Sequence, residues 1–217
     1  MAKPELMDFY VILFSHYGPR HWWPAETPFE VIIGAILTQN TNWKNVEKAI
    51  DNLKSEGCLD IRKIVEIRKE RLEEMIRSSG FYKQKAERLQ NFCRFVLNEY
   101  GSLEEMFHEN TDKIRKDMLD LKGIGHETAD SILLYAGGLP FFVIDEYTRR
   151  IFRRIGFRVN ENYEDIRKLF EKNIPKDVGI YKEYHALIVE LAKEFCRKKP
   201  LCFDCPLRNI CKNNSVV

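Results

Sequence analysis

Apolar residues recur three and four positions apart along almost the whole chain, which is the period of a helix that buries one face. The clearest helix begins at Thr27, where Pro28 and Glu30 supply a first-turn proline and the glutamate of a capping box. The helix that they start, from Phe29 to about Gln39, is apolar almost all round. Because such a helix has no face suited to water, it belongs at the centre of a bundle. The sequence therefore predicts an all-α fold.

Further helices follow, separated by short loops without low-complexity linkers or internal repeats. At 217 residues the chain is long enough for one domain or two small ones, and its 44% of hydrophobic and 31% of charged residues are typical of a folded globular protein. The predicted helices are Trp43 to Ser55, Lys69 to Arg77, Tyr82 to Tyr100, Thr111 to Leu121, His126 to Ala136, Asp145 to Ile155, Tyr163 to Asn173 and Gly179 to Arg197.

No segment predicts a membrane span or a secretory signal. Uninterrupted apolar runs such as Val31 to Leu37 are far shorter than the roughly 18 residues that a span needs. The amino terminus lacks the basic segment, apolar stretch and cleavage site of a signal peptide. We therefore expect a cytoplasmic protein without a membrane partner.

Four of the six cysteines crowd together near the carboxyl terminus, in the spacing Cys196-x5-Cys202-x2-Cys205-x5-Cys211. In a reducing compartment this grouping indicates a metal site rather than disulfides. Four thiolates so close in sequence can hold one tetrahedral centre, either a 4Fe-4S cluster or a zinc ion. Structural zinc sites usually pair two C-x2-C motifs, and this chain has one. We therefore expect the cluster, with zinc as the second possibility.

A second motif, Leu121-Lys122-Gly123-Ile124-Gly125, lies between two predicted helices. Two glycines separated by one apolar residue allow a tight turn and leave successive N–H groups pointing outward at a helix N-terminus, where an anion binds. This helix-hairpin-helix signature predicts phosphate binding, and its alternative is an ordinary connection between helices. The candidate phosphate-binding residues are Lys122, Gly123, Ile124, Gly125, His126 and Thr128.

A loop rich in glycine and proline, residues 137–144, precedes Asp145 at the start of a predicted helix. An aspartate in this position is usually an N-cap.

Five arginines lie between Arg149 and Arg158 without an acidic residue among them, so we expect a basic face on this helix.

In combination, the hairpin, the loop with its aspartate and the four-cysteine tail resemble the endonuclease III (HhH-GPD) superfamily of DNA glycosylases, from about Trp22 to Cys211. The resemblance implies a two-lobed fold. Residues 26–136 would form a six-helix barrel lobe, and residues 1–25 and 137–217 a second lobe with the cluster loop. It also implies that Asp145 is the catalytic aspartate. Damaged double-stranded DNA, bound across the cleft between the lobes, would be the partner of a monomeric enzyme associated with the nucleoid.

One departure from the superfamily bears on the mechanism. Members that also cut the DNA strand have a lysine two residues after the second hairpin glycine, and here that position is Glu127. Because a carboxylate cannot form a Schiff base, we expect a monofunctional glycosylase. Glu127 is expected either to hydrogen-bond the base or the attacking water, or to complement the dipole of the hairpin helix.

Three stretches are similar to the 3-methyladenine DNA glycosylase III branch, although the four-cysteine loop departs from it: His21-Trp22-Trp23-Pro24-Ala25, Leu37 to Trp43 and Gly123 to Asp130. The resemblance implies that Trp22, Trp23 and Trp43 form an aromatic base pocket and that Gln39 fills the gap left by the flipped base. An alkylated purine is cationic, so indole faces favour it by stacking and cation–π attraction. The alternative is that the three tryptophans are core residues.

Three other functions are compatible with these motifs. A bifunctional glycosylase and lyase would need a nucleophilic lysine. An adenine or thymine mismatch glycosylase would also be monofunctional and would differ in its substrate. A non-catalytic module that only senses damaged DNA would have no base release to lose when Asp145 is changed.

Overall fold

The computed structural model describes residues 4–20, 22–157 and 162–212, and every regular element in these ranges is helical. The predicted all-α class is confirmed. No helix in these ranges combines the length and apolar composition that crossing a bilayer requires. The α-helices are α1 (Leu6–Tyr17), α2 (Pro28–Leu37), α3 (Trp43–Ser55), α4 (Ile61–Glu66), α5 (Lys69–Met75), α6 (Tyr82–Glu99), α7 (Leu103–His108), α8 (Thr111–Leu119), α9 (His126–Ser131), α10 (Glu146–Ile155), α11 (Tyr163–Asn173) and α12 (Val178–Glu194).

Two short elements interrupt the α-helical pattern. Arg77–Ser79 forms a 3-10 turn after α5, and α9 continues as a π-helical segment over Ile132–Ala136. In that segment the Gly137 N–H reaches the Ile132 carbonyl oxygen at 3.0 Å. Each helix predicted from the sequence has a counterpart. The predicted helices do not include α1, α4 and α7. Helices α4 and α7 have six residues each, which are too few to show a helical period.

The helices are grouped into two compact units. The continuous unit comprises residues 23–139, and the discontinuous unit comprises residues 1–22 and 140–217. Each boundary lies three residues from the position that the family resemblance implies. The continuous unit, which is described throughout, holds α2 to α9, and the short helices α4 and α7 bring its number above the six expected. His21 and Arg158, which belong to two of the sequence motifs, lie outside the described residues.

The central helix of the continuous unit is α2, as its sequence predicts. Every residue from Phe29 to Leu37 is buried. Thr27 caps the helix, since its Oγ1 accepts a hydrogen bond from the Glu30 N–H at 3.1 Å. The buried Glu30 carboxylate lies 2.8 Å from the Lys54 ammonium of α3, so its charge is neutralised. Neighbouring helices therefore pack around a helix that presents apolar side chains on all sides.

An aromatic core holds the discontinuous unit together. The rings of Phe142 and Phe170 are stacked with their centroids 4.4 Å apart, and Phe152 of α10 meets Phe170 of α11 at 4.8 Å. Tyr184 of α12 is fully buried and donates a hydrogen bond to the Leu6 carbonyl of α1 at 2.7 Å. These contacts fix α1, α10, α11 and α12 around one core, which sets where α10 begins.

Candidate functional site

Asp145 caps the first turn of α10. Its Oδ1 accepts hydrogen bonds from the Thr148 N–H at 2.7 Å and from the Thr148 hydroxyl at 2.8 Å. Its Oδ2 lies 3.5 Å from Nε2 of His185 on α12, and the aspartate side chain is 13% exposed. The predicted N-cap is confirmed. The cap occupies one carboxylate oxygen, and the other oxygen faces a buried imidazole.

The charge state of Asp145 follows from these contacts. Burial is the largest effect and by itself would raise the pKa of Asp145, but the nearby His185 imidazole and the hydrogen bonds from Thr148 together outweigh it. The pKa of Asp145 therefore lies below its ordinary value. The carboxylate is ionised at neutral pH, which is the form that stabilises positive charge developing on a sugar.

The segment that follows α1 runs along α12 and brings Trp22 beside this histidine. The Arg20 guanidinium lies 3.6 Å from the Glu190 carboxylate of α12. The Trp22 ring centroid lies 5.4 Å from that of His185, with the rings tilted by 57°. Trp22 is half-buried. One of the three predicted pocket tryptophans is thus placed against the residue that faces Asp145.

Trp23 belongs to the continuous unit and packs there with other aromatic rings. Its ring centroid lies 4.8 Å from that of Tyr135 and 5.7 Å from that of Trp43. Gly34 of α2 leaves room for the two indoles, because a Cβ at this position would lie 3.3 Å from Trp43 and 3.5 Å from Trp23. The structure therefore brings Trp23 and Trp43 together, and both are half-buried rather than core residues. We call Trp23, Trp43 and Tyr135 the aromatic cluster.

Two backbone irregularities accompany the aromatic cluster. Trp23 has φ 103°, in the region that side chains other than glycine rarely adopt, and Tyr135 lies in the π-helical segment. Such irregularities persist where the surroundings enforce them, and they are frequent at functional sites. The sequence pattern does not single out Tyr135, because a tyrosine within an apolar helical stretch is typical of a core residue.

The hairpin joins α8 to α9 in the way its glycines predict. Gly123 has φ 91°, in the left-handed region that favours glycine, and Gly125 is the N-cap of α9. Ile124 is 4% exposed and anchors the turn. The exposed residues of the hairpin are Lys122, Gly125, His126 and Glu127. Of these, Lys122, Gly125 and His126 suit a phosphate, whereas the Glu127 carboxylate repels it.

A buried ion pair locks the two hairpin helices together. Arg115 of α8 binds Asp130 of α9 through two contacts, Nε to Oδ1 at 2.6 Å and Nη2 to Oδ2 at 3.1 Å. The Asp130 side chain is fully buried, and Nδ1 of His126 lies 3.4 Å from Arg115 Nη2. The helical pattern does not indicate this pair, because charged residues on helices usually face water.

Gln39 connects the end of α2 to the hairpin. Its Nε2 donates hydrogen bonds to the Gly123 carbonyl at 3.0 Å and to the Thr128 hydroxyl at 2.9 Å, and its Oε1 accepts one from Arg88 of α6. Thr128 is buried, so its hydroxyl faces Gln39 rather than solvent. Insertion of Gln39 into the gap left by a flipped base stays a prediction, and it would break these three hydrogen bonds.

Phe81 is a second side chain that the sequence analysis missed. It is the N-cap of α6, has φ 48°, and is 62% exposed. The buried Lys85 ammonium fixes the preceding turn by donating hydrogen bonds to the carbonyls of Leu37 at 2.8 Å and Ser79 at 2.7 Å. A large apolar ring held in solvent on a well-fixed turn is suited to contact a partner.

The four carboxyl-terminal cysteines line one cavity, which is also walled by apolar residues of α10 and α12 such as Ile151 and Leu191. Burial and the neighbouring thiolates raise the pKa of Cys205 to about 11, so the four sulfurs lie close enough to interact. Among the described residues, no three histidine, cysteine, aspartate or glutamate side chains converge on the position of one metal ion. The four cysteines therefore line the wall of a cavity and do not converge on the position of a single ion.

Two of the arginines expected to form a basic face donate hydrogen bonds to the backbone that follows α12. The Arg150 Nε donates a hydrogen bond to the Cys196 carbonyl at 3.0 Å. The Arg154 guanidinium donates to Cys196 Sγ at 3.3 Å and to the carbonyls of Arg197 at 2.6 Å and Lys198 at 3.0 Å. Both guanidinium groups thus supply donors for the carbonyls after α12 while remaining part-exposed, and the basic face stays a prediction.

Known proteins are similar to this chain over most of its length. Residues 33–176 match the family model of the HhH-GPD superfamily base excision DNA repair proteins. A candidate DNA repair glycosylase from Methanocaldococcus jannaschii is 53% identical over 210 residues, which are 95% of each chain. The endonuclease III of Thermotoga maritima is 30% identical, with 85% of this chain and 83% of that protein covered.

Two solved structures are also similar. The crystal structure of H. pylori 3-methyladenine DNA glycosylase bound to 1,N6-ethenoadenine has a TM-score of 0.73 and 33% identity, covering 86% of this chain and 94% of that chain. A non-covalent complex of endonuclease III with DNA has a TM-score of 0.81, covering 98% and 97%. Because its identity is 24%, it shows the fold alone.

Proposed function

Because the chain belongs to the HhH-GPD superfamily of base excision DNA repair proteins and is a DNA glycosylase, we propose that it releases alkylated purines of the 3-methyladenine type by hydrolysis, without cutting the DNA strand. The observation that carries this proposal is the ionised Asp145 carboxylate, held between Thr148 and His185. The aromatic cluster supports the substrate class, and Glu127 supports hydrolysis as the only reaction.

In the proposed reaction, Asp145 acts on the deoxyribose of a nucleotide that has been swung out of the duplex. As the bond between C1′ and the base nitrogen breaks, the base leaves with the bonding electrons and positive charge develops on the sugar. The carboxylate stabilises that charge. A water oxygen then bonds to C1′ and loses a proton to Asp145 or to solvent, which leaves an abasic site.

The aromatic cluster suits a cationic base. An N-alkylated purine carries a positive charge, so it leaves without being protonated first. Electron-rich rings attract such a base by about 1–2 kcal/mol when water is excluded. Trp23, Trp43 and Tyr135 supply three such rings, and Trp22 supplies a fourth beside His185. The H. pylori relative is a 3-methyladenine glycosylase whose structure holds 1,N6-ethenoadenine, which supports the same substrate class here.

Glu127 supports hydrolysis without strand cleavage. It lies in the exposed first turn of α9, at the position where the lyase members of the family have a lysine. Strand cleavage by a lyase passes through an imine that only an amine can form. We assign Glu127 one of two roles, either to hydrogen-bond the base or the water, or to complement the dipole of α9.

We assign the phosphate contacts to the exposed hairpin. Its candidate groups are Lys122, Gly123, Gly125 and His126, through backbone N–H groups and the lysine charge. The Ile124 N–H donates to the Leu121 carbonyl at 3.0 Å, so Ile124 anchors the turn instead of contacting phosphate. Thr128 would support these contacts from within by holding Gln39.

For the gap left by the flipped base, Phe81 is a better candidate than Gln39, because its ring is already exposed. The proposed partner is damaged double-stranded DNA, bound by a monomer at the nucleoid.

The four cysteines fit a 4Fe-4S cluster. Thiolates are the ligands of such clusters, and here they line a common cavity. The Arg154 guanidinium donates to Cys196 Sγ, as second-sphere groups do to metal-bound thiolates. We propose that Cys196, Cys202, Cys205 and Cys211 hold the cluster, with zinc as the second possibility. When bound, the cluster supplies the cross-links that hold this loop in place.

Base release from methylated duplex DNA, identified by mass spectrometry, tests the proposed reaction. We expect wild type to release methylated adenine. Asp145→Asn should lower the rate on the order of 10²–10³-fold or more, because an amide has no charge to stabilise the sugar cation. Binding of a DNA duplex should be retained. Asp177→Asn is the matched control, because Asp177 caps α12 in the same unit and asparagine is an equally good cap.

The same preparation separates the alternatives. Trapping of the protein on damaged DNA by borohydride would identify a bifunctional lyase and overturn the proposed hydrolysis. Release of adenine or thymine from mismatches, without release of methylated purines, would overturn the substrate class. If wild type releases no base from any of these DNAs, a damage-sensing module is the better description.

A further inference from the structure

The two oxygens of the Asp145 carboxylate have different surroundings. Oδ1 accepts two hydrogen bonds from Thr148 and is committed to the cap of α10. Oδ2 lies 3.5 Å from Nε2 of His185. The position and charge of Oδ2, the oxygen that the cap leaves for chemistry, therefore depend on a residue of another helix.

His185 is held firmly in this position. It lies on α12, is 4% exposed, and follows Tyr184, whose hydroxyl is bonded to the Leu6 carbonyl at 2.7 Å. The Trp22 ring packs on the imidazole with 5.4 Å between ring centroids. An imidazole buried among apolar residues costs free energy unless a polar partner compensates it. The Asp145 carboxylate is such a partner.

We propose that His185 is a positioning residue for the reaction proposed above: its Nε2 orients Oδ2 of Asp145 and favours the carboxylate anion, while Trp22 holds the imidazole in place. This inference rests on the proposed function. The distance of 3.5 Å is long for a hydrogen bond, and contacts of catalytic groups commonly tighten only when substrate is bound. His185 is not a catalytic residue in this scheme, because it acts through Asp145.

The electrostatics agree with the geometry. The titratable group that faces Asp145 from α12 is His185, and α10 contributes the Thr148 amide and hydroxyl. Burial raises the pKa of Asp145, and His185 is the main influence that lowers it. Without the imidazole, burial is opposed by Thr148 alone. The pKa of Asp145 should then rise, and the ionised fraction at a given acidic pH should fall.

The test compares single-turnover base release by wild type, His185→Leu and His185→Asn between about pH 4 and 8. We expect the acid limb of the pH–rate profile of His185→Leu to lie at higher pH than that of wild type. The rate of base release at neutral pH should be lower by on the order of tenfold or more. His185→Asn retains a donor and should recover part of both losses. Tyr184→Phe is the matched control on the same helix, and it should lower the melting temperature without moving the acid limb.

A ¹³C NMR titration of the Asp145 carboxyl, assigned with Asp145→Asn, gives a readout that needs no activity. In His185→Leu this carboxyl should titrate at higher pH than in wild type. If the acid limb and the titration both coincide with wild type, while stability falls as in Tyr184→Phe, the inference is wrong and His185 is only structural. Absence of base release from wild type would instead contradict the proposed function, and the titration would still decide the role of His185.

Discussion

One side chain of this protein can stabilise a helix through one atom and take part in the proposed chemistry through another. Asp145 uses Oδ1 as a helix cap, worth about 1 kcal/mol, and presents Oδ2 to His185. The adjacent residues Trp22 and Trp23 pack in different units, one on His185 and the other on Tyr135. At the residue scale, neighbours in sequence therefore contribute to different sets of contacts.

Gly34→Ala tests the aromatic cluster at this scale. The added methyl group would lie 3.3 Å from Trp43 and 3.5 Å from Trp23, so the rings must shift slightly. We expect little change in melting temperature, because alanine favours a helix over glycine by about 1 kcal/mol, which offsets the crowding. The ratio of release rates for methylated adenine and methylated guanine should change, as measured by mass spectrometry of the released bases.

The control for this change is Gly179→Ala, which adds a methyl group to a helix of the other unit, and should leave the ratio as in wild type. An unchanged ratio in Gly34→Ala would show that the two indoles do not select the base.

At the scale of elements, the hairpin formed by α8 and α9 takes its position from two other helices, α2 and α6. Its second helix, α9, has six α-helical residues, too few to be stable alone. The Arg115–Asp130 pair holds α9 to α8, and Gln39 joins the hairpin to the end of α2 and to Arg88 of α6. The exposed turn is thus a rigid surface, although its own sequence is short and contains two glycines.

Arg115→Met tests this support. The change removes the two contacts by which Arg115 holds the buried Asp130 carboxylate, and we expect a loss of about 3–5 kcal/mol in the free energy of unfolding, measured by urea denaturation. The control is Arg71→Met, which removes an exposed arginine paired with Glu56 and Glu74 and should leave the free energy of unfolding close to that of wild type. Equal losses in the two variants would mean that the buried pair does not stabilise the hairpin.

At the scale of the whole molecule, the discontinuous unit joins the two ends of the chain. The Leu6 carbonyl of α1 accepts a hydrogen bond from Tyr184 of α12. Arg150 and Arg154 of α10 bind the backbone that follows α12 at the start of the cysteine loop. The helix that Asp145 caps is therefore attached to the loop proposed to hold the cluster.

Cys205→Ala tests the proposed cluster. We expect wild type to absorb at about 400 nm and to contain ~4 iron atoms per chain, and Cys205→Ala to lose both together with part of its thermal stability. Cys58→Ala changes a cysteine outside the set and should keep the iron. Colourless wild-type protein with about one zinc ion per chain would identify the alternative site.

Local patterns account for what could be predicted. The apolar period, with Thr27 and Pro28 as start signals, predicts α2 and its burial on all sides. The glycines of the hairpin, the cap at Asp145 and the grouping of the cysteines are likewise set by residues a few positions apart. These patterns predict the family and the candidate site residues, because they depend on interactions within a turn or a loop.

The pairing of side chains across the fold was decided by the tertiary structure alone. His185 meets Asp145, Tyr135 meets Trp23, and Arg154 meets the cysteine loop, although each pair is far apart in sequence. Sequence fixes the period and the caps of each helix, because those energies arise between near neighbours. Which polar side chains meet depends on how the buried faces pack, and that is settled only when the whole chain is folded.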